Sequence, residues 1–301
     1  MNAAPTGKGL HTVPGDIKLI ALDLDGTLLD RERRCSDRNR RALAAALERG
    51  VRIVLASGRM HHSVQEEGQR LGLSGLIISY NGALICVSGA REPLFHQPVA
   101  AELATGIVQM AVATRVHLQY FVAGEEAVRA VGDEALRPGE CPSAFPEALL
   151  VPAVNRWARM YQRRAGTRPH PVGDLRRLAG TSPTKMIVVA EPARVPELLA
   201  EYETRYGEQL YVTRSLPEYI EFLDRRISKG AALTWLAEHL GIPQAATMGC
   251  GDELNDLPLV EAAGIGVAMP SAAPEVRAAA DFVPESDTEG VAEAIERFVM
   301  Q

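Results

Sequence analysis

The chain has 301 residues, 47% of them hydrophobic and 23% charged, with a formal net charge of −6 at pH 7. This length predicts two domains at roughly 100–200 residues each, and the composition is typical of a folded globular protein. The mild acidity argues against a nucleic-acid-binding protein that relies on a basic surface. The four cysteines form no CxxC pair and the seven histidines form no HExxH motif, so we expect neither a disulfide framework nor a zinc site.

The N-terminal segment lacks the apolar stretch of a signal peptide, and no apolar run approaches the ~18 residues of a membrane helix. We therefore expect a soluble, cytoplasmic protein whose partner is a small molecule rather than a membrane or a nucleic acid.

Three short apolar segments at the start of the chain alternate with helical ones. Ile17–Asp23, Arg52–Ser57 and Leu76–Tyr80 are rich in β-branched residues and predict buried strands of a parallel sheet. Asn39–Arg49 has apolar residues on one face and predicts a helix that stops at Gly50. This alternation predicts a doubly wound α/β fold.

The pattern changes after Asn81-Gly82, and between Pro138 and Pro183 the sequence predicts no clear element. We interpret residues 86–224 as a second domain inserted into the first. Its predicted elements, with those that lead into it, are a hairpin of Ala83–Val87 and Pro93–Val99, helices Ala101–Ala113 and Val195–Tyr206, and strands Val116–Val122, Lys185–Ala190, Gln209–Thr213 and Tyr219–Phe222.

From Lys229 onward the first pattern resumes. The predicted organisation is a flexible tail of residues 1–15, an α/β core of residues 16–85 with 225–301, and the inserted domain. The elements predicted in the last segment are helices Lys229–Leu240, Leu254–Ala263 and Val291–Val299, and strands Ala245–Cys250, Gly264–Ala268 and Asp281–Val283.

Two aspartates follow the first predicted strand, in the segment Asp23-Leu24-Asp25-Gly26-Thr27. Open α/β sheets bind ligands at the carboxyl ends of their strands. Two carboxylates separated by one residue project to one side of an extended chain and repel each other unless a cation or a proton lies between them. Gly26 permits a turn, whose backbone the Thr27 hydroxyl can bond. The alternative is an Asp-Gly turn with solvated acids.

Two further segments combine polar side chains with a helix start. Ser57-Gly58-Arg59 closes the second strand, where its hydroxyl and amides can hold phosphate oxygens, although Ser57 can also be an ordinary helix cap. Ser228-Lys229-Gly230 puts a lysine where the helix dipole disfavours it unless an anion compensates. A solvated surface lysine is the alternative.

The fourth segment, Gly251–Asp256, crowds three acids and an amide between a strand and a helix. Acids can cap the helix start, but capping does not require both Asp252 and Asp256 with Asn255 beside them. Hard oxygen ligands of this kind are those that Mg²⁺ prefers.

The order of the four motifs is more specific than any one of them. DxDGT, Ser-Gly-Arg, a lysine at a later helix and GDxxND resemble the motifs of the haloacid dehalogenase superfamily. More narrowly, the chain resembles the Cof-type phosphatases, which carry a large α/β cap between the second motif and the lysine; Asn81-Gly82, Ile227–Leu233 and Glu289–Val291 also match. The motifs span Leu22–Val291, whereas the cap matches in layout only. The resemblance implies an α/β, Rossmann-like core with an inserted α+β cap.

The same resemblance implies a magnesium-dependent phosphomonoester hydrolase that acts on small phosphorylated metabolites through an aspartyl-phosphate. Asp23 would be the nucleophile and Asp25 the general acid and base. Mg²⁺ would bind a carboxylate oxygen of Asp23, the backbone carbonyl of Asp25 and the carboxylate of Asp252. Asp256 and Thr27 would support these ligands. The phosphoryl oxygens would be bound by Ser57, Gly58, Lys229 and Asn255.

One segment departs from the subfamily, which usually has Met-Gly-Asn-Ala where this chain has Met269-Pro270-Ser271-Ala272. The role of Ser271 therefore stays open.

We interpret Cys250 as a buried thiol rather than a nucleophile, and His61 and His62 as part of a helix surface. Four arginines are interpreted as a solvated helix face rather than a patch for an anionic substrate: Arg156, Arg159, Arg163 and Arg164.

Two alternatives to a phosphatase stay open on the sequence: a phosphomutase on the same fold and a non-catalytic sensor of a phosphate ligand. A dehalogenase is disfavoured, because it needs neither magnesium nor the second aspartate of the DxD pair. The substrate classes left open are sugar phosphates, phosphorylated cofactors such as pyridoxal phosphate, and flavin mononucleotide.

Overall fold

The computed structural model describes residues 16–131, 145–165, 167–214 and 216–301. The predicted tail of residues 1–15 and Cys141 lie outside these ranges. By internal contacts the chain divides into two compact units, Met1–Ile53 with Leu233–Gln301, and Val54–Ala232. The helices in the described ranges are all too short or too polar to cross a membrane.

Strands and helices alternate along most of the described chain. The strands are β1 (Leu19–Leu22), β2 (Arg52–Ala56), β3 (Leu76–Ser79), β4 (Leu84–Val87), β5 (Phe95–His96), β6 (His117–Ala123), β7 (Glu147–Val151), β8 (Pro169–Pro171), β9 (Lys185–Val189), β10 (Leu210–Thr213), β11 (Tyr219–Asp224), β12 (Thr247–Gly251) and β13 (Ile265–Ala268). The α-helices are α1 (Asp37–Glu48), α2 (His61–Leu71), α3 (Ala101–Ala113), α4 (Glu125–Val131), α5 (Arg156–Ala165), α6 (Val195–Tyr206), α7 (Lys229–His239), α8 (Leu257–Ala262), α9 (Pro274–Ala279) and α10 (Gly290–Phe298).

In the first unit the strands follow the order β13-β12-β1 and then the start of β2. β1 pairs with β12 and β12 with β13, all in parallel. Glycines on β12 and β13 let α8 approach closely, since a Cβ on Gly249 would lie 2.8 Å from the Leu259 carbonyl oxygen, and one on Gly266 would lie 2.3 Å from that of Val260. These parallel strands confirm the predicted α/β core.

In the second unit, β2 pairs in parallel with β3, and β4 and β5 extend the order in antiparallel fashion. A separate six-stranded sheet has the order β10-β11-β9-β6-β7-β8 and is antiparallel except for the pair β7–β8. This mixed sheet with helices is the predicted α+β insertion. The domain boundaries at 85/86 and 224/225 stay a prediction.

The six-stranded sheet is buried on both faces. One face packs against apolar residues of α3 and α6, among them Ile107, Leu198 and Tyr202. The other face presents Phe121, Leu149 and Ile187 to a cluster that also contains Met60, Tyr80 and Leu84. This second face therefore lies against the segments that follow β2 and β3.

Three regions differ from the sequence prediction. The segment without predicted elements contains β7, α5 and β8 in its described part. The predicted strand Asp281–Val283 is wrong, because it contributes only an isolated bridge between Phe282 and Val267. The predicted helix Leu254–Ala263 is divided into a 3-10 turn, Leu254–Asp256, and α8, because Pro258 in the first turn of α8 restarts the helix.

Candidate active site

The chain turns sharply at the carboxyl end of β1. The Asp23 backbone N–H donates to the Cys250 carbonyl at 3.0 Å, which extends the β1–β12 pairing by one residue. Gly26 then adopts φ +92°, and its N–H donates to the Leu29 carbonyl at 2.9 Å. The Asp23 residue is 6% exposed, whereas Asp25 is exposed. The two acids of the DxD pair thus have different environments, one buried and one open to solvent.

Three carboxylates meet at this end of the sheet. Asp23, Asp252 and Asp256 each offer a carboxylate oxygen, and these atoms lie within 4.8 Å of one another. The parallel register that pairs Leu22 with Cys250 brings the ends of β1 and β12 side by side, which is how residues far apart in sequence converge. Carboxylates this close repel, and a divalent cation would offset the repulsion. A buried set of oxygen donors fits Mg²⁺.

Hydrogen bonds orient two of these carboxylates. The Thr27 hydroxyl donates to Asp252 Oδ1 at 2.7 Å, whereas the sequence had suggested a bond to the backbone of its own turn. Asp256 Oδ2 accepts the backbone N–H groups of Asp252 and Glu253, both at 3.1 Å. Asp256 therefore fixes the strand-to-helix turn that carries Asp252.

Two glycines allow the acids to approach the backbone. A Cβ on Gly26 would lie 2.3 Å from Asp252 Oδ2, and a Cβ on Gly251 would lie 2.3 Å from the Asp256 Cβ. Real Cβ contacts are never this short, so any side chain at either position would displace a carboxylate. Gly26 is required twice over, because its positive φ also disfavours residues with a Cβ.

The predicted phosphate-binding residues Ser57 and Gly58 lie in the second unit. The Ser57 carbonyl accepts the Asn81 N–H at 3.0 Å, and the Arg59 carbonyl accepts the Tyr80 N–H at 3.0 Å. A Cβ on Gly58 would lie 2.7 Å from Asn81 Oδ1. The segment after β2 is thus closely packed against a bend at residues 80–82. Ser57 is not a helix cap, since α2 begins four residues later and its N-cap is Met60.

Lys229 lies near the same bend. Lys229 is only 1% exposed, which excludes the alternative of a solvated surface lysine. A Cβ on Gly82 would lie 2.4 Å from the Ser228 carbonyl oxygen, so the bend touches the start of α7. Tyr80 and Asn81 adopt φ +52° and +58°, a left-handed conformation that is costly for non-glycine residues. The structure thus brings Ser57, Gly58 and the start of α7 to one bend.

The remaining predicted residues belong to the first unit. Asn255 is partly buried in the 3-10 turn that leads from β12 to α8. Ser271 is exposed, and its backbone N–H donates to Asp287 Oδ1 at 2.8 Å. Cys250 is fully buried, which confirms the interpretation as a buried thiol, and this burial raises the pKa of its thiol to about 12.

The helical arginines fit the solvated face that the sequence suggested. Arg156 pairs with Glu191, and Arg164 pairs with Glu218 at 3.0 Å. Both arginine side chains are at least half exposed, at 68% and 50%.

The interpretation of His61 and His62 as a helix surface is wrong, because they are 0% and 7% exposed. Their partner is Glu147, the first residue of β7, whose side chain is fully buried. The His62 Nδ1 lies 2.5 Å from Glu147 Oε1, and its Nε2 lies 2.9 Å from the Thr167 hydroxyl. The sequence does not point to Glu147, because this residue lies in the segment without predicted elements and a single glutamate forms no motif.

Comparisons with known proteins place these features in a family. A family model described as haloacid dehalogenase-like hydrolase matches residues 20–295. Phosphatase YwpJ of Bacillus subtilis (strain 168) is 31% identical over 281 residues, which cover 92% of this chain and 98% of that protein. The 5-amino-6-(5-phospho-D-ribitylamino)uracil phosphatase YcsE of the same organism is 32% identical over 286 residues, 95% of this chain and 97% of that protein. The crystal structure of a haloacid dehalogenase-like hydrolase from Bacteroides thetaiotaomicron matches with a TM-score of 0.78 and 27% identity, over 94% and 99% of the two chains.

Proposed function

We propose that this chain, which belongs to the haloacid dehalogenase-like hydrolase family and is a phosphatase of the Cof type, hydrolyses small phosphomonoesters through an aspartyl-phosphate on Asp23 with Mg²⁺ bound. The observation that carries the proposal is the cluster of Asp23, Asp252 and Asp256 at the end of β1. An anionic nucleophile that attacks an anionic phosphate needs a cation beside it, and this cluster is where the described residues would hold one.

In the first step an Asp23 carboxylate oxygen attacks phosphorus and the ester P–O bond breaks. The leaving oxygen takes the bond's electron pair and a proton from Asp25. In the second step Asp25 takes a proton from water, whose oxygen attacks phosphorus, and the bond to Asp23 breaks to restore the carboxylate. The exposure of Asp25 suits this role, because a group that serves both leaving alcohol and incoming water must be open to each.

Mg²⁺ would be held by Asp23, Asp252 and the Asp25 backbone carbonyl, and when bound it would neutralise charge that develops on the phosphoryl oxygens. Asp256 and Thr27 keep Asp252 in place through the hydrogen bonds described above. Ser57, Gly58, Lys229 and Asn255 would bind the phosphoryl oxygens. A buried ammonium at a helix start is well suited to an anion, since both the lysine charge and the backbone N–H groups attract it.

The nucleophile is tested by Asp23→Asn, which should abolish turnover of an aryl phosphate while the fold stays intact. Asp16→Asn is the matched control, because its side chain is 90% exposed and close to β1 without a place in the cluster. Wild-type turnover in purified Asp23→Asn would contradict the mechanism. Phosphate release from a single substrate, with no sugar bisphosphate supplied, would exclude a phosphomutase.

The metal is tested by calorimetric titration of Mg²⁺ into the protein, which measures binding without turnover. We expect Asp252→Asn to weaken binding markedly and Asp16→Asn to leave it unchanged. Equal Mg²⁺ affinity in both variants, or full phosphatase activity in excess chelator, would contradict the assignment.

The substrate can be identified with a panel of phosphorylated metabolites. The panel includes sugar phosphates, pyridoxal phosphate, flavin mononucleotide and 5-amino-6-(5-phospho-D-ribitylamino)uracil, the compound in the name of the relative YcsE.

A further inference from the structure

The connection between β2 and α2, residues 57–62, receives two charged side chains from the six-stranded sheet. Lys185 of β9 donates from Nζ to the Gly58 carbonyl at 3.3 Å. Glu147 of β7 accepts the backbone N–H groups of His61 at 3.0 Å and His62 at 2.6 Å. The connection that carries the predicted phosphate-binding residues is therefore held near both of its ends by residues far away in sequence.

Lys185 is anchored so that its hydrogen bond has a defined direction. The residue is 5% exposed, and its Nζ forms an ion pair with Glu221 Oε2 of β11 at 2.6 Å. A buried ammonium requires such a partner, and the pair restrains the long lysine side chain. The Gly58 carbonyl thus faces a fixed donor.

The bonds at Gly58 determine the orientation of two peptide planes. The Ser57 carbonyl is held by the Asn81 N–H, so the Gly58 N–H in the same peptide plane points the opposite way. The Gly58 carbonyl is held by Lys185, and the Arg59 N–H in that plane lies 3.3 Å from the Ser57 hydroxyl oxygen. A phosphate-binding N–H is effective when its direction is set before the ligand arrives.

Glu147 holds the other end of the connection, at the start of α2. The N-cap of α2 is Met60, whose side chain makes no capping hydrogen bond, so the first N–H groups of α2 need an acceptor from another segment. Glu147 supplies the missing acceptor, and its Oε2 also accepts the Tyr80 hydroxyl at 2.7 Å. Since Tyr80 belongs to the bend that holds Ser57 and Arg59, this one carboxylate connects the helix start with the bend.

From these contacts we infer that Lys185 is a positioning residue for phosphate binding: its hydrogen bond to the Gly58 carbonyl, with Glu147 at the start of α2, holds residues 57–59 in the conformation that receives the phosphoryl group. The inference rests on the proposed function and adds a specific role for two residues of the six-stranded sheet. Lys185 acts on any phosphate ligand alike, because it holds the loop and touches no leaving group.

The test uses a double variant, Lys185→Met with Glu221→Gln, which removes the donor without leaving a buried carboxylate unpaired. We expect the dissociation constant of inorganic phosphate in Mg²⁺, measured by calorimetry, to rise about tenfold, as loss of one hydrogen bond to a charged group predicts. The KM of each phosphate ester should rise by the same factor, with a smaller change in kcat.

Two single variants are the controls. Glu221→Gln keeps the bond to Gly58 and should retain most of the phosphate affinity, and Lys185→Arg, which also donates, should restore most of it. Unchanged phosphate affinity in the double variant would overturn the inference. So would a KM rise confined to one substrate with unchanged phosphate affinity, since that result would make Lys185 a contact for the leaving group.

Hydrogen exchange of the wild-type protein gives a test that does not depend on any variant's folding. A loop held in advance should show protected amides at Arg59, His61 and His62 without phosphate, and phosphate should add little protection at these three positions. If these three amides exchange freely and become protected only with phosphate, the inference is overturned. If wild-type protein binds phosphate but does not hydrolyse esters, the proposed function fails while this inference stands.

Discussion

At the scale of single residues, the glycines around the acidic cluster explain why the motif contains them. Gly26 combines a positive φ with a Cβ position occupied by Asp252, so its replacement moves a proposed metal ligand. A sequence shows that a glycine follows two aspartates, but it does not show what lies against the missing side chain. In this case the neighbour comes from the end of a strand more than two hundred residues away.

We predict that Gly26→Ala lowers phosphatase activity about a hundredfold, the loss typical of a catalytic group displaced by roughly 1 Å. It should also weaken Mg²⁺ binding in a calorimetric titration. Gly50→Ala is the matched control, since Gly50 has φ +78° but nothing within 4 Å of its Cβ position. Both variants should lose about 1–3 kcal/mol of stability from backbone strain. Equal activity in the two variants would contradict the steric account.

At the scale of elements, the sequence predicted the core strands well and the middle of the chain poorly. β1, β2 and β12 are short apolar runs whose pattern alone indicates a buried parallel strand. β7 has an equally apolar sequence after Glu147, but its neighbours are rich in proline and arginine and give no alternation around it. Its partner strand β6 is distant in sequence, and pairing over such distances leaves no local signal.

The acidic cluster could be predicted from the sequence because each aspartate follows a strand, and parallel strands end at one edge. Glu147 and Lys185 could not, because the groups that they bond in the β2–α2 connection include backbone N–H and C=O groups, which a residue of any type would supply. The burial of His62 could not be predicted either, because two adjacent histidines at a helix start indicate nothing about the buried carboxylate that lies opposite them.

The contact between β7 and α2 predicts how stability depends on pH. Burial alone would lower the pKa of His62, but the charge and hydrogen bond of Glu147, with a smaller effect of Glu66, raise it above its ordinary value of 6.5. Burial alone would raise the pKa of Glu147, whereas His62, with His61 and the Tyr80 hydroxyl, lowers it to about 2. Both shifts favour the charged forms of the two side chains.

A raised histidine pKa gives stability that is complete below about pH 6.5 and is lost as pH rises through the higher folded-state value. We therefore predict that the free energy of unfolding falls as pH rises above the ordinary histidine pKa of about 6.5, and that His62→Gln flattens this slope. His96→Gln is the control, because burial lowers the pKa of His96 to about 4 and it is neutral throughout this range. Denaturant titrations at several pH values provide the measurement, and an unchanged slope in His62→Gln would contradict the account.

At the scale of the whole molecule, the apolar cluster under the six-stranded sheet bears on whether the predicted core can exist alone. Met60, Tyr80 and Leu84 belong to the predicted core, yet they pack with Phe121, Leu149 and Ile187 of the predicted insertion. Exposing one large buried side chain costs about 1.5–3 kcal/mol, and domains are stable by only about 5–15 kcal/mol.

We accordingly predict that replacing residues 86–224 with a short linker yields a protein without a cooperative thermal transition, measured by circular dichroism. The reason is that Met60, Tyr80 and Leu84 lose their partners together with the hydrogen bonds from Lys185 and Glu147. A shortened protein that melted cooperatively and hydrolysed an aryl phosphate at the full-length rate would contradict this view of the second unit.

A covalent phosphate on Asp23 can be trapped and located by chemical reduction. In Asp25→Asn the first step should still proceed with an aryl phosphate, whose leaving group needs little protonation, while the second step loses its general base. Acid quench after mixing with substrate and Mg²⁺, followed by borohydride reduction, converts an acyl-phosphate to an alcohol that mass spectrometry locates. We expect homoserine at position 23 in Asp25→Asn and none in Asp23→Asn. Burst release of the aryl alcohol without modification at position 23, or with modification at another residue, would contradict it.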